Sequence, residues 1–235
     1  MKRKSLERLG AVLGSGAAAA AASTIVFKAW QRRWNATGEE VVRPLPLDDQ
    51  VRQPTYVTNR AITVRAPAEQ IWPWIAQMGE LPRGGFYSYM TIERLLKMKV
   101  VNADRILPEF QTPEVGAAID RAGNMIVKAA EPNRVLVLGP PPMPDFDSTW
   151  AIALFPADDG STRLISRCRA RLPRGMKGRL MSLILDPGQF LMERKMLLEI
   201  KKRAEEHRLA EATPEPLLEP RIADDSIPMD RQFVS

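Results

Sequence analysis

The spacing of apolar residues in the first half of the chain predicts one strand followed by two short helices. Residues 56–64 are rich in β-forming residues, and apolar positions alternate with small or polar ones, as in a half-buried strand. In residues 67–78, apolar side chains recur about every 3.6 residues, which predicts a helix. Gly84-Gly85 breaks the chain, and residues 89–98 then repeat the helical spacing.

The middle of the chain predicts an antiparallel sheet. Its short apolar runs are separated by turn residues and cover residues 115–120, 125–131, 134–138, 149–156 and 162–172. The last two runs are joined by Asp158-Asp159-Gly160, a strong hairpin signal. Strands at this spacing without helices between them pair antiparallel.

Residues 177–207 predict a long last helix, interrupted at Asp186-Pro187-Gly188. Its apolar stripe comprises Met196, Ile200, Ala204 and His207, with Leu197 beside it. At ~1.5 Å per residue, residues 189–209 form a rod of ~30 Å, which is long enough to cross a sheet. The helix is therefore expected to pack along the sheet.

Charge and composition exclude several functions. The formal net charge is +6, but residues 1–34 carry seven basic and one acidic side chain, so the remainder is neutral overall. The body carries no net positive charge with which to attract phosphates, and we expect no nucleic-acid partner. A single cysteine, Cys168, and a single histidine, His207, cannot form a structural zinc site or an intrachain disulfide. We expect no metal and no cofactor.

Residues 9–27 form an uncharged run bracketed by basic clusters, with the length of a short membrane span. Trp30 and Trp34, with the arginines between them, resemble interfacial anchors, so a single-pass membrane anchor is predicted. A secretory signal peptide cleaved near residues 20–22, which would give a secreted protein, and an Ala-rich soluble helix are the alternatives. The flanking charges are nearly balanced and favour only weakly a domain outside the membrane.

Four segments are predicted along the chain. They are an anchor helix with basic flanks at 1–35, a Pro-containing tether at 36–54 without its own core, a domain at 55–211, and a disordered acidic, Pro-rich tail at 212–235. Small residues recur every four positions in the anchor, at Gly10, Gly14, Ala18 and Ala22. Such a face could pack against a second helix, so self-association in the membrane is possible.

Residues 65–69, 72–79 and 83–89 give the order strand, Ala-Pro, amphipathic helix, Gly-rich turn and aromatic cluster. That order resembles the opening of the START-like helix-grip superfamily, also called SRPBCC, which includes lipid-transfer domains, birch-pollen-allergen-like proteins and polyketide cyclases and dehydrases. Residues 102–109 and 186–195 are similar to a membrane-anchored, actinobacterial-type branch of that superfamily.

The resemblance implies an α+β helix-grip fold. In such a fold a curved antiparallel sheet of about six or seven strands wraps a long C-terminal helix, and two short helices follow the first strand. An apolar cavity lies between sheet and helix, and the apolar N-terminal helix would be separate. Fold resemblance does not specify a ligand or an activity.

Few side chains are candidates for acid–base chemistry. Tyr87 and Tyr89 could place hydroxyls at a cavity mouth, or could simply pack. Asp104 and Arg105 could polarise a ligand carbonyl, or could form a salt bridge that holds a loop. Burial of Glu193 on the last helix would raise its pKa and make it an acid or base; on a solvated face it would pair with a neighbouring cation instead.

The strand at residues 165–171 has two distinct faces. Its period of two places Arg167, Arg169 and Arg171 on one face and Ser166, Cys168 and Ala170 on the other. Because unpaired buried charges are costly, the arginines are expected to face solvent, and the small residues the helix. A cavity for an anionic lipid lined by the three arginines is the alternative.

We expect the cavity to be lined by aromatic, small and methionine-rich positions. They are Trp74, Met78, Phe86, Tyr87, Tyr89, Trp150, Ser166, Cys168, Ala170, Met192, Met196, Leu197 and Ile200. These features favour a membrane-tethered binding module for a hydrophobic small molecule or lipid. The alternatives are a polyketide cyclase/dehydrase-like enzyme that uses acid–base catalysis and an accessory protein in membrane-complex assembly. No confident catalytic set is present, so an enzyme is the less favoured reading.

Overall fold

The computed structural model describes residues 23–143, 147–173 and 175–212. Helix α1 runs through residues 23–32. The remaining elements are α2 (Gly38–Val42), β1 (Tyr56–Val64), α3 (Ala68–Ala76), α4 (Met90–Leu95), a 3-10 turn (Pro108–Phe110), β2 (Ile126–Glu131), β3 (Val135–Gly139), β4 (Ser148–Pro156), β5 (Thr162–Ala170) and α5 (Met176–Ala212). The predicted α+β class and the two short helices after the first strand are confirmed.

The strands form one antiparallel sheet in the order β1-β5-β4-β3-β2. The sheet has five strands in the described part of the chain, not the six or seven expected. Residues 115–120, predicted as a strand, make only an isolated bridge between Ala118 and Ile126. The reason is local: Gly116 has a φ of +91°, which takes the backbone out of the extended conformation.

The turn between α3 and α4 depends on a glycine. Gly85 has a φ of +83°, and a Cβ placed there would lie 2.5 Å from Asn102 Oδ1 and 2.8 Å from the Val101 carbonyl oxygen. No side chain fits at this position. Asn102 uses the space to accept a hydrogen bond from the Tyr87 backbone N–H and to donate one to the Ser88 carbonyl. The Gly-rich turn thereby fixes the aromatic segment that follows it.

Helix α5 is continuous from Met176 to Ala212, so the predicted interruption around Pro187 is wrong. Proline removes one backbone donor from a helix, a cost that tertiary contacts can outweigh. Here the preceding residue, Asp186, is buried and bonds Arg32 of α1 through both carboxylate oxygens. The apolar stripe packs against the sheet as predicted from Met196 to Ala204, whereas His207 is exposed.

The sheet is buried on both faces. Its inner face packs against α3 and α5 around Ile62, Leu138, Ile152 and Leu164. Its outer face forms a second core, which includes Ala61, Val137, Ala151, Ile165 and Leu45. Leu45 belongs to the segment predicted as an extended tether without its own core. In the structure, residues 36–54 contain α2 and pack against the outer face of the sheet rather than running fully extended.

Hydrogen bonds from Arg167 hold residues 36–54 against the outer face of the sheet. Its side chain is 3% exposed, which contradicts the expectation that it faces solvent. The guanidinium donates to Asn59 Oδ1 at 2.5 Å, to Asp48 Oδ2 at 2.6 Å and to backbone carbonyls of residues 40, 41 and 43. Oxygen acceptors on every side replace the lost water, so burial is tolerated. Arg169 is half-buried, and Arg171 is exposed as expected.

The predicted membrane anchor lies mostly outside the described residues, as do its small-residue face and the C-terminal tail. Among the residues that the structure describes, no helix combines the length and apolar character needed to cross a membrane. The described end of the run, in α1, carries exposed Ile25, Val26 and Phe27, followed by exposed Trp30. Membrane association and the domain boundaries stay predictions.

The Arg167 cluster generates a stability prediction. Arg167→Lys keeps the charge but replaces five donors spread over a planar guanidinium by three on one nitrogen, which cannot reach all the surrounding oxygens. We expect it to lower the free energy of unfolding by about 2–4 kcal/mol. The matched control is Arg171→Lys, which changes an exposed residue just beyond the same strand and should cost less than about 0.5 kcal/mol. Urea unfolding of the full-length chain, followed by tryptophan fluorescence, measures both; equal losses would contradict the prediction.

Candidate functional site

The inner face of the sheet is divided into an apolar end and a polar end. On β1, Ile62 and Val64 belong to the main apolar core. Toward the start of β1, the alternation of side chains between the two faces places Arg60, Thr58 and Tyr56 on this same inner face. Their partners on β5 are Ser166, Cys168 and Ala170. The polar end is therefore built from two neighbouring strands and is covered by α5.

A buried ion pair lies at the centre of this polar end. Arg60 on β1 is 0% exposed and Glu193 on α5 is 4% exposed, and Arg60 Nη1 donates to Glu193 Oε2. Arg60 Nε also donates to the Gln31 carbonyl oxygen at 2.9 Å. Burying such a pair is tolerated only when hydrogen bonds satisfy the charged groups. The pair connects the first strand to the last helix.

Three buried polar atoms of the site have no hydrogen-bond partner among the residues that the structure describes. They are Arg60 Nη2, Glu193 Oε1 and Thr58 Oγ1. The first is a donor, the second an acceptor, and the third can act as either. An unpaired polar atom in a protein interior costs about 1–3 kcal/mol. The site thus holds unmet hydrogen-bonding capacity of both kinds on one face of the sheet.

Burial controls the protonation of this cluster. Burial raises the pKa of Glu193, and the positive charge of Arg60 and the nearby Ser166 hydroxyl oppose that effect. Burial and the charge of Glu193 together raise the pKa of the Cys168 thiol to about 11. Burial, with the negative charge of Asp186, also raises the pKa of Tyr56. The thiol and the phenol are therefore neutral at physiological pH.

Polar contacts extend outward from the ion pair toward half-buried residues. Ser166 Oγ accepts a hydrogen bond from Trp150 Nε1 at 2.8 Å. Tyr56 Oη donates to Gln189 Oε1 on α5 at 2.6 Å. Trp150, Cys168 and Gln189 are all half-buried, so this side of the site lies closest to solvent.

Helix α1 forms one wall of the site. Arg32 bonds Asp186 through Nε at 3.1 Å and Nη2 at 2.8 Å, and its guanidinium lies 5.0 Å above the Tyr56 ring. Trp30 and Trp34 both pack edge-on against Phe190 of α5. The segment that leads from the predicted anchor is thus bound directly to the helix that carries Glu193.

The structure places the residues predicted to line the cavity in two groups. The larger group lies in the main apolar core and comprises Trp74, Met78, Phe86, Tyr87, Met196, Leu197 and Ile200, with Trp150 packed against it. Ala170 and Cys168 belong to a small cluster beside Tyr56. Ser166 is buried and Met192 is half-buried, whereas Tyr89 is 38% exposed.

The four candidate catalytic residues are not assembled into one constellation. The Tyr87 hydroxyl accepts a hydrogen bond from Gln77 Nε2 at 2.9 Å, and burial raises its pKa to about 12. Asp104 and Arg105 are exposed, and the backbone carbonyl of Arg105 also accepts from Gln77 Nε2. Within the described residues, none of these three shares a hydrogen bond or ion pair with Glu193.

Several residues of the site, chiefly Arg60, Tyr56 and Gln189, were not predicted from the sequence. The spacing of residues along β1 could have identified Arg60 and Tyr56. Extending the period of two backward from Val64 and Ile62 places Arg60, Thr58 and Tyr56 on the buried face of β1. No signal identified Gln189, because its contact depends on how α5 lies on the sheet.

Comparisons with known proteins add a fold likeness only. No family model matches the chain, and no curated protein matches it. Similar solved structures include protein MLL2253 from Mesorhizobium loti, at 19% identity, covering 64% of this chain and 98% of that one, with a TM-score of 0.37. Protein NE0264 from Nitrosomonas europaea shows 11% identity, coverage of 65% and 96%, and a TM-score of 0.40.

A third similar structure is DynU16, a protein of the dynemicin biosynthetic locus. It shows 12% identity over 63% of this chain and 48% of its own chain, with a TM-score of 0.35. Likenesses at these values assign the chain to no family and to no function. The residues of the polar end therefore carry the functional argument.

The environment of Cys168 generates a prediction about its reactivity. The ordinary pKa of the thiol is 9.0 and the folded value is about 11, so at pH 8 folding lowers the thiolate fraction about 100-fold. Labelling of the full-length chain by a disulfide reagent at pH 8 should be slower than in 6 M guanidinium by at least about that factor. Cys168 is the single cysteine, so the signal is unambiguous.

Glu193→Gln should speed this labelling, because the charge of Glu193 contributes to the raised pKa of Cys168. Glu206→Gln, an exposed change on the same helix, serves as the control and should have no effect. Rapid labelling of the folded wild-type chain at pH 8 would show that the thiol is not held in this environment.

Proposed function

We propose that the protein is a membrane-tethered binding module that holds a hydrophobic small molecule or lipid between the sheet and α5. One observation carries the proposal: within the described part of the chain, a buried donor, Arg60 Nη2, and a buried acceptor, Glu193 Oε1, both lack hydrogen-bond partners at the end of an otherwise apolar face. Native proteins satisfy nearly all buried polar atoms, so each exception calls for an explanation. A bound ligand would supply the missing partners.

The surroundings of the ion pair suit the apolar part of such a ligand. Trp150 is half-buried and packs against the main core, and Met196 is buried within it. Met192, which precedes Glu193 on α5, is half-buried. Methionine side chains adapt to differently shaped apolar ligands because they are unbranched and polarisable. Binding sites of this kind combine mostly apolar walls with a few polar groups that fix orientation.

The tethered part of the proposal is supported by α1. Ile25, Val26, Phe27 and Trp30 are exposed at the end of the uncharged run that precedes the domain. Apolar and tryptophan side chains followed by basic residues are typical of a membrane interface. Since α1 also contacts α5, a tether at this position would hold the site close to the lipid surface.

Binding accounts for the site better than acid–base catalysis does. A cyclase or dehydrase reaction without a metal needs two titratable groups that converge on the substrate. Of the four candidates, Glu193 alone belongs to the buried polar end. The remaining three are exposed or bonded elsewhere, so a complete acid–base pair would require groups from another part of the chain.

The proposal is tested by native mass spectrometry of the full-length chain, purified in a mild non-ionic detergent and followed by organic extraction. We expect a defined hydrophobic molecule at about one per chain. Met192→Trp enlarges the half-buried side chain that precedes Glu193 on α5 and should reduce occupancy at least about tenfold. Leu191→Trp, one residue away and exposed, is the matched control and should leave occupancy unchanged.

Two results would overturn the binding proposal. One is a folded wild-type chain that carries no extractable ligand and takes up none of hexadecan-1-ol, hexadecanoate and hexadecane. The other is equal loss of occupancy in the two tryptophan variants, which would show that ligand binds elsewhere on the chain.

A further inference from the structure

We propose that α4 and the residues that flank it form a second membrane contact, through which the folded domain docks on a bilayer that contains anionic lipid. The inference rests on the tethered part of the proposed function and goes beyond it, because it assigns a lipid-binding surface outside α1. It is carried by exposed apolar side chains, by the sign of the charges beside them, and by the position of α4 next to α1.

The outward side of α4 is apolar. Leu95 is 82% exposed, and the other exposed apolar side chains of residues 89–101 are Tyr89, Met90, Leu96 and Val101. Isolated apolar residues are ordinary on a protein surface, whereas an apolar patch with a charged rim marks a site that contacts another protein or a membrane. We call the exposed side chains of residues 89–101 the α4 surface.

The exposed charges of the α4 surface are all positive. Its basic side chains are Arg94, Lys97 and Lys99, and within the described residues none of them forms an ion pair. The one acidic residue of the segment, Glu93, is 0% exposed, and burial raises the pKa of its carboxyl. Residues 35–235 are neutral overall, so this positive charge is local. Lysine and arginine beside apolar side chains favour an anionic lipid surface.

The α4 surface lies near the point from which the predicted anchor leaves the domain. Helix α1 contacts α5 at Phe190. The Met192 carbonyl oxygen accepts a hydrogen bond from Ser88 Oγ at 3.2 Å, and Lys195 Nζ lies 6.0 Å from the centre of the Tyr89 ring. Phe190 and Lys195 are only ~7.5 Å apart along the helix axis. A bilayer that holds α1 is therefore within reach of α4.

A second copy of this chain fits the α4 surface less well than lipid does. Dimers of identical chains usually bring the same patch of each subunit together about a twofold axis. Such an interface would oppose the three positive charges of one copy to those of the other, which is unfavourable. An anionic bilayer accepts the apolar side chains and neutralises the charges together.

The test places a nitroxide spin label at Leu95→Cys in the full-length chain, with Cys168→Ser to remove the native thiol. The chain is incorporated into nanodiscs of phosphatidylcholine with about 30% phosphatidylglycerol. Power-saturation EPR measures how often the label collides with oxygen, which concentrates in lipid, relative to a water-soluble nickel chelate. We expect this ratio to be at least about fivefold higher than for a label at Val42→Cys. Val42 is the matched control, since it is an exposed apolar residue of α2, on the opposite face of the sheet from α5.

Removing two charges from the α4 surface should release it from the bilayer. A lysine near an anionic surface contributes roughly a fivefold factor, so Lys97→Gln with Lys99→Gln should lower the ratio of docked to free label roughly 25-fold. Arg134→Gln with Lys202→Gln removes two exposed charges elsewhere and should change the ratio less than about twofold. Nanodiscs of phosphatidylcholine alone should lower the wild-type ratio at least as far as the double lysine variant does.

The outcomes separate this inference from the tether. A label at position 95 that meets the nickel chelate as often as one at position 42, in a chain that stays in the nanodisc, would remove the α4 contact and leave the tether standing. Equal docking on neutral and anionic bilayers would also overturn the inference. Dipolar broadening between labels in detergent would show that a second copy covers this surface instead. A chain that does not enter nanodiscs would overturn the contact and the tether together.

Discussion

The ion pair between Arg60 and Glu193 fixes how α5 lies on the sheet. Each charge is buried, so neither can move away from the other without an uncompensated charge remaining inside the protein. A helix held only by apolar contacts can shift along a sheet at modest cost, whereas a buried pair admits one register. Every contact between α5 and the polar end, including those of Gln189 and Asp186, depends on that register.

Two buried arginines on adjacent strands differ in how completely their hydrogen-bond donors are satisfied. Arg167, on the outer face, is surrounded by oxygen acceptors from the segment that crosses it. Arg60, on the inner face, donates to a carboxylate and a carbonyl, and one of its terminal nitrogens remains without a partner. Full satisfaction is typical of a structural role, because nothing further can bind. Incomplete satisfaction leaves a donor with which the proposed ligand could form a hydrogen bond.

Periodicity predicted most of the fold, because each strand and helix shows its buried face in the spacing of its apolar residues. The hairpin at Asp159-Gly160, the helix around Ile71 and Trp74, and the stripe from Met196 to Ala204 are local properties of the sequence. The same reasoning failed at Pro187, where contacts distant in sequence hold the helix together. It also failed for residues 36–54, whose polar, proline-containing sequence does not show that they cover a sheet.

The candidate site was only partly predictable for a related reason. Glu193, Ser166, Cys168 and Trp150 could be assigned to the region between sheet and helix, since each belongs to an element with a clear buried face. Their assembly around Arg60 depends on strand pairing and on helix register, which have no signature in a single sequence. Asp104 and Arg105 were attractive for their chemistry, yet their loop places them in solvent.

The contacts of α1 have a practical consequence for any shortened form of this protein. A chain cut at residue 36 would lose the Gln31 carbonyl that Arg60 Nε uses, the Arg32 partner of Asp186, and the two indole rings that shield Phe190. Crystallographers commonly discard such a flank to obtain a tractable sample. Such trimming would remove one side of the proposed site, and an empty truncated sample would say nothing about the intact molecule.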